Sequence, residues 1–264
     1  MFHRFLKPAE ITTLYLFFLY FLAVLLKDST TFLYAEATRF ALLGLSFIVP
    51  TVLFIKFKKQ RLQWDNILIT FLILLLLADT TVSYVLIVSL GLLTFACKVF
   101  LRVQRHPIFN PAAISLAILY FFGLTTTWWG VSFSPRFTSL GISAAMLFTL
   151  PLGLYIIWKY QKLPTLIATV SSLVLANLVL VGSVPLKLLL EGTFAFFLLI
   201  MATEPKTTPV IDKQEWFYGL LLGISLSVWF HFKLLLPYIS NLLILNAAFS
   251  IFKILQLKKV SNSE

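Results

Sequence analysis

Two polar motifs interrupt an otherwise apolar chain, and the first has the residue types of a ligand-binding helix start. Asn110 precedes Pro111 and the small residues Ala112 and Ala113. Asparagine is favoured as the cap of a helix N-terminus, and proline is favoured in the first turn. The free N–H groups and the positive dipole end of such a helix attract an anion or an electron-rich ring. The motif therefore predicts either a ligand site or an ordinary capped helix start.

The second motif, further along the chain, combines a carboxylate with hydroxyls and prolines. Glu204 stands directly before Pro205, and a helix is expected to end there because the residue before a proline disfavours helical geometry. Thr203 and Thr207 place hydroxyl groups on both sides of the carboxylate. Glu204 could accept hydrogen bonds from a ligand, or it could simply meet water.

The elements that hold these motifs must be membrane helices. The chain has 264 residues, of which 60% are hydrophobic and 12% are charged, and its mean hydropathy is +0.97. A soluble domain has roughly 25% charged residues, so this chain has too little polar surface to cover a water-exposed globule. The composition excludes a soluble enzyme, a secreted scaffold and a disordered tail. It predicts an integral protein of the cell membrane.

The net charge of +11 does not predict a nucleic-acid partner, because no basic block stands apart from the apolar segments. The densest basic run, from Lys56 to Arg61, lies between two apolar stretches. Such a run is typical of a topology signal that faces anionic lipid on the cytoplasmic side.

Apolar stretches recur along the whole chain without a soluble domain or linker. A spanning helix needs about 20 largely apolar residues, and we predict ten helices, near 11–26, 39–55, 66–78, 82–101, 111–129, 139–158, 165–183, 186–203, 216–232 and 235–255. The segment 66–78 is short, so a half-crossing helix is expected there. With a cytoplasmic N-terminus, sixteen of the 21 Lys and Arg fall on the inner side. We therefore expect an all-α polytopic membrane protein, a single membrane domain over 1–264 with both termini cytoplasmic.

The residues alone leave the class of membrane protein open. The loop at 125–143 is expected on the outer side, where Trp128 and Trp129 would anchor a helix end at the membrane interface. The sequence contains no zinc-ligand spacing, nucleophile elbow or phosphate loop. A transporter, a channel and a cofactor-bearing redox subunit are all compatible with these features.

The order and spacing of the two motifs resemble one family of membrane proteins. Residues 109–113 read Phe-Asn-Pro-Ala-Ala, and residues 201–205 read Met-Ala-Thr-Glu-Pro, with Thr-Pro at 208–209. Lys98 lies twelve residues before Asn110. This pattern is similar to that of the RnfD/NqrB family, whose members are membrane subunits of the Rnf electron-transport complex and of the sodium-translocating NADH:quinone reductase.

The resemblance covers residues 66–250 and implies a fold, a cofactor and partners. It implies ten helices in two inverted halves, and electron transfer through FMN or riboflavin. It also implies other membrane redox subunits and an NADH- or ferredoxin-oxidising chain as partners. The chain would then be at most one subunit of a multi-subunit oxidoreductase or ion translocase. The residues expected to contact a flavin are Asn110, Pro111, Ala112, Thr203, Glu204 and Thr207.

Departures from the family pattern modify these expectations. The position that carries covalent FMN in the family falls on Ser143. The acidic residue of that motif is replaced here by Phe137. The family has an acidic residue directly after its lysine, and this sequence has Val99 at that position. The sequence therefore favours a non-covalent flavin over covalent FMN on Ser143, and it favours electron transfer with weakened or lost ion coupling.

Two other functions stay open. The same departures suit a flavin-free transporter or a structural membrane partner that kept the fold. A pump with full ion coupling would need acids inside the membrane, and the candidates in this chain are Asp79, Glu191 and Glu204.

Overall fold

The structure, a computed structural model, is almost entirely helical. It describes residues 7–26, 30–103, 106–132, 144–204, 207–209 and 212–261. Helices make up 78% of it, and a two-residue antiparallel ladder joins Arg102–Val103 to His106–Pro107. The predicted all-α fold class is confirmed.

The helices follow one another along the chain with short connections. They are α1 (Pro8–Leu25), α2 (Thr30–Phe57), α3 (Trp64–Leu77), α4 (Tyr84–Phe100), α5 (Pro111–Tyr120), α6 (Trp129–Ser132), α7 (Ala144–Lys159), α8 (Leu163–Val181), α9 (Leu186–Leu189), α10 (Gly192–Met201), α11 (Asp212–His231) and α12 (Pro237–Ser261). Two of them contain a π-helical turn, at Gly44–Ile48 in α2 and at Phe197–Met201 in α10.

Three of the described helices are long and apolar enough to cross a membrane. They are α1, α2 and α8, with 18, 28 and 19 residues. α3, α4, α5 and α10 are apolar too, but each is shorter than 18 residues.

Apolar side chains cover the outside of the bundle as well as its interior. On α1, Leu16 and Leu19 are fully buried, whereas Leu14, Phe17 and Phe21 are more than half exposed. Soluble monomers rarely leave large contiguous apolar patches in contact with water. This burial pattern is compatible with a protein whose outer surface meets lipid.

Two short helices lie at the centre of the bundle. Every residue of α3 from Thr70 to Leu77 is buried, and so is every residue of α10. A helix that is apolar on all sides must be surrounded by other helices. α3 and α10 are therefore the central elements, and the longer helices enclose them.

A close helix pair, α8 and α11, packs through small residues. A Cβ atom added at Gly223 would lie 2.1 Å from Ser172 Oγ and 2.3 Å from Thr169 O. Small residues at such positions let two helix backbones approach closely, as in many membrane helix pairs. At one end of this pair, Lys162 and Glu215 form a buried ion pair of 2.6 Å.

The second predicted helix begins earlier than expected. The sequence places Arg39 at the outer end of a helix at 39–55, but α2 already begins at Thr30. Arg39 is 1% exposed and forms a buried ion pair with Glu36, one helical turn before it. Because the two charges neutralise each other, the helix extends over a stretch that charge counting assigns to water.

Two other predicted spans are interrupted. The predicted helix 111–129 ends at Tyr120, and the chain then turns at Gly123, whose φ of 91° favours glycine. The following residues extend alongside the end of α3, where Asp79 N–H donates to Thr125 O over 3.0 Å. The predicted helix 186–203 is divided into α9 and α10 by an extended residue, Glu191.

α3 separates two polar regions of the molecule. Its first turn lies beside Lys98, whose Nζ donates to Asn66 O, and its C-terminal end lies beside Arg39, which donates to Ala78 O. Fourteen residues at about 1.5 Å each separate these regions by roughly 21 Å. We refer to the region of Asn110, Glu204 and Lys98 as the Asn110 end, and to the region of Glu36, Arg39 and Asp79 as the Arg39 end.

Candidate ligand site at the Asn110 end

Asn110 caps α5, as its sequence context predicts. Its Oδ1 accepts hydrogen bonds from the N–H groups of Ala112 and Ala113, at 3.0 Å and 3.1 Å. Pro111 occupies the first position of the helix, where no N–H is needed. The cap uses donors that a ligand would otherwise meet, so the helix start by itself is not an open anion site.

The other half of the Asn110 amide joins the two sequence motifs. Nδ2 donates a 2.8 Å hydrogen bond to Glu204 Oε2, across 94 residues of sequence. Thr207 Oγ1 donates to the same carboxylate oxygen over 3.3 Å. The amide therefore links the start of α5 to the segment that follows α10, and both of its polar groups are used within the protein.

Glu204 also organises the backbone around it. The N–H groups of Thr207 and Thr208 donate to Glu204 O, and Thr208 Oγ1 donates to it over 2.7 Å. Thr203 Oγ1 donates to Leu199 O within the last turns of α10. The π-helical turn of α10 directly precedes these residues, and such turns frequently occur at functional sites.

Two cavities adjoin Glu204. The wider one has a volume of about 660 Å³ and lies between the starts of α1 and α3 and the ends of α7 and α10; its lining includes Trp64, Asn66, Tyr160, Thr203 and Glu204. The narrower one has a volume of about 320 Å³, and its lining includes Asn66, Lys98, Arg102, Pro111 and Glu204. Both volumes are within the range of about 300–1,000 Å³ that is usual for small-molecule pockets.

Lys98, on α4, is held at the narrower cavity by contacts with two other helices. Its Nζ donates to Asn66 O over 2.7 Å and to Thr70 Oγ1 over 2.9 Å, both on α3. It also lies 5.4 Å from the ring centroid of Phe47, in the π-helical turn of α2, a distance at which a cation is attracted to the ring. Arg102 Nε donates to Lys98 O, which fixes the next basic residue beside it.

The structure brings most of the predicted site residues together. Asn110, Glu204 and Thr207 form one hydrogen-bonded group, and Pro111, Thr203 and Glu204 line the cavities; Ala112 is fully buried and contributes its N–H to the cap. Ser143, the position considered for covalent FMN, lies outside the described residues. Whether this group binds a flavin stays a prediction.

At the Arg39 end, polar groups bond to one another and to the end of α3. Tyr20 OH donates to Glu36 Oε1 over 3.0 Å, and Arg39 Nη2 donates to Ala78 O over 3.1 Å. A cation at a helix C-terminus complements the helix dipole.

The two tryptophans at 128 and 129 also donate hydrogen bonds to the end of α3. Trp129 Nε1 donates to Leu75 O over 2.7 Å, and the Trp128 N–H donates to Leu77 O over 3.3 Å. Both side chains are more than nine-tenths buried. They do not stand at the end of the predicted helix 111–129, which stops at Tyr120, and their N–H groups instead satisfy carbonyl groups at the C-terminal end of α3.

Sequence reasoning missed the two buried ion pairs, Glu36–Arg39 and Lys162–Glu215. The first has a local signal, a Glu and an Arg three residues apart within an apolar run, which is the spacing of neighbours on one helix face. The second joins residues 53 positions apart, so local spacing cannot show it.

The Asn110 end thus combines an apolar cavity with aromatic walls, a hydrogen-bonded carboxylate and several cations. These groups can hold a flat, polar-edged ring and an anionic substituent. The chain matches no protein-family model and no curated protein.

Proposed function

We propose that this chain is a membrane subunit that binds a flavin non-covalently and carries electrons across the bilayer within a larger redox complex. The observation that carries the proposal is the hydrogen bond between Asn110 and Glu204. It unites the two motifs on which the family resemblance depends, and it does so where Glu204 lines both cavities.

The proposal includes the membrane arrangement expected from the sequence. The Asn110 end faces the cytoplasm, because the basic run at Lys58, Lys59 and Arg61 lies at that end. The three long apolar helices α1, α2 and α8 span the bilayer, and other helices complete ten spans in two inverted halves. Interrupted helices such as α3 and α5 are tolerated at membrane depth where protein surrounds them, which fits the central position of α3.

The residues of the wider cavity fit a flavin. An isoalloxazine ring is flat and aromatic, with hydrogen-bonding groups along one edge. Trp64 and Tyr160 would contact its faces, and the amide of Asn66, the hydroxyl of Thr203 and the carboxylate of Glu204 would bond its edge; all five line the cavity. Asn110 would hold Glu204 in place rather than contact the ring.

When bound, the flavin supplies one- and two-electron redox chemistry, while the protein binds and orients it and limits access of water. Electrons would come from an NADH- or ferredoxin-oxidising partner and pass to other membrane redox subunits. Ion coupling would be weak or lost. Of the three acids considered for it, Asp79 accepts hydrogen bonds from the Thr81 and Thr125 side chains, and Glu204 is assigned to the flavin edge.

The test is flavin content. We expect the full-length protein, purified in detergent, to show flavin absorption bands, and acid extraction to release the flavin while the mass of the intact chain stays unmodified. Asn110→Ala and Glu204→Gln should lower the flavin content, whereas Asn241→Ala, at a buried asparagine that bonds within α12, should retain it. Colourless protein that takes up neither FMN nor riboflavin would refute the proposal.

A second candidate is a flavin-free transporter, and one observation favours it. Two cavities adjoin Glu204 at the Asn110 end, whereas Glu36 bonds to Arg39 and Tyr20 at the Arg39 end. Transporters commonly have such an asymmetry when the site is open to one side. Solute uptake that depends on Asn110, in protein whose flavin content does not, would favour this candidate.

A further inference from the structure

We propose that the two cavities form one bipartite site for a phosphate-bearing ligand, with the apolar body in the wider cavity and the phosphate in the narrower one. The inference rests on the proposed function and narrows it, because the flavin would be FMN rather than riboflavin. The two compounds share the ring and differ in the phosphate, so the charge of the narrower cavity decides between them.

The two cavities lie side by side, because they share four lining residues. Arg61, Gln63, Asn66 and Glu204 line each of them. These residues come from the segment before α3, from its first turn and from the end of α10. A ligand bound in the wider cavity would therefore lie beside residues that also line the narrower one.

The two cavities differ in charge. In the wider cavity, Lys7 and Arg61 are balanced by Asp65 and Glu204, and much of the remaining wall is apolar. The narrower cavity has three basic residues, Arg61, Lys98 and Arg102, against the single carboxylate of Glu204. That carboxylate accepts hydrogen bonds from Asn110 and Thr207. The narrower cavity thus has a net positive charge.

The basic side chains have donors suited to phosphate. Burial lowers the pKa of the Arg102 guanidinium, yet arginine stays charged in proteins. Its Nε bonds to Lys98 O, and a guanidinium has five N–H donors, so donors remain for a ligand. The planar guanidinium matches two phosphate oxygens at once. Arg61, which lines both cavities, stands at the junction.

The experiment compares FMN with riboflavin on the full chain in nanodiscs. Binding is followed by flavin fluorescence for the wild type, for the Arg61→Gln/Arg102→Gln variant, and for a control, Lys58→Gln/Lys59→Gln. The control removes the same charge from exposed side chains close in sequence that do not line either cavity. Thermal unfolding of each variant checks that it is folded.

We expect FMN to bind more tightly than riboflavin. Arg61→Gln/Arg102→Gln should weaken FMN binding about tenfold or more, since each charge-assisted hydrogen bond is worth roughly that factor, and should change riboflavin binding less than about twofold. The control should leave both affinities unchanged. Equal binding of the two flavins, or an equal loss in the control, would overturn the inference while leaving flavin binding intact. Failure of both flavins to bind would refute the proposed function itself.

An anionic phospholipid headgroup has the same phosphate chemistry, so a second comparison separates the two sources. FMN affinity is measured in nanodiscs of phosphatidylcholine alone and in nanodiscs that also contain phosphatidylglycerol, and retained lipid is measured by native mass spectrometry. We expect FMN to bind equally in both. If phosphatidylglycerol displaces FMN and is retained only when Arg61 and Arg102 are present, the phosphate site belongs to lipid and the assignment to FMN is wrong.

Discussion

The two ends of α3 show opposite uses of buried polar groups. At the Arg39 end, Glu36 and Arg39 bond to each other, to Tyr20 and to the backbone of Ala78. At the Asn110 end, several polar groups of similar burial also line cavities. Burial of charge alone therefore does not identify a ligand site in a membrane bundle. At the Asn110 end, such groups line space that a ligand can occupy.

The difference between the two ends follows from the groups that hydrogen-bond to the helix terminus at each of them. The C-terminal carbonyl groups of α3 receive a guanidinium, an indole N–H and a backbone N–H, so the surrounding residues pack against them. The N-terminus of α5 needs only the single side chain of Asn110. Pro111 lines the narrower cavity, and the other walls of that cavity come from more distant elements, which include α2, α3 and α4.

The strongest test of this contrast is Arg39→Met, which leaves Glu36 buried without its cation. Removal of one partner of a buried ion pair costs about 3–5 kcal/mol, and Ala78 O also loses a donor. We expect a large decrease in thermal stability in detergent, with the flavin content of the protein that stays folded unchanged.

The control for this test is the Glu36→Gln/Arg39→Met variant. Replacement of both charges by neutral groups of similar size is often close to neutral, so the double variant should recover most of the stability. A single variant that unfolds like the wild type, or a loss of flavin from folded protein, would contradict the structural role assigned to the Arg39 end.

The second test is Asn110→Ala at the other end. Loss of an N-cap costs about 1 kcal/mol, within a range of about 0.5–2 kcal/mol, so the decrease in stability should be smaller than for Arg39→Met. The loss of flavin should be larger, because Glu204 is no longer held. Thermal unfolding and flavin content, measured on the same samples, separate the two effects.

Asn110→Asp separates the cap from the link to Glu204. It keeps an oxygen that can cap α5 but replaces the donor to Glu204 with a second carboxylate. We expect near wild-type stability of the helix start with a low flavin content. Retention of flavin in Asn110→Asp would show that the link between the two motifs is not needed for binding.

How far the sequence predicts these two ends depends on the range of the interactions. The cap at Asn110 is local, and its residue types predict it correctly. The bond from Asn110 to Glu204 is not local, and the family resemblance alone suggests that the two motifs are neighbours. The cavities are formed by parts of several helices, so their volume and lining cannot be read from any one segment.

The sequence predicts the Arg39 end less well, because composition does not show whether a charged residue meets water or forms a buried ion pair. Charge counting assigns Arg39 to the outer end of a helix until its pairing with Glu36 is known. Phe121, Phe122 and Leu124 are compatible with a continuing helix. The extended form of this stretch depends on hydrogen bonds to residues at and just after the end of α3, such as that from the Asp79 N–H to Thr125 O. Both errors come from tertiary contacts that override a local preference.

The smallest expected effect concerns Asp79, at the surface of the Arg39 end. Partial burial raises the pKa of this carboxyl, but hydrogen bonds from Thr81 and Thr125 outweigh it and lower the pKa overall. The ionised form therefore stabilises the fold above about pH 4, the range of the unfolded carboxyl, and this contribution is lost as the pH falls through the lower pKa of the folded state. Asp79→Asn should be less stable than the wild type at pH 7, by less than about 1 kcal/mol because the group is partly exposed, and the difference should close in acid. Thr81→Val, which removes one of the donors, should narrow the same difference. If the difference in stability between the wild type and Asp79→Asn stays constant from pH 7 to about pH 3, the charge of Asp79 does not stabilise this end of the molecule.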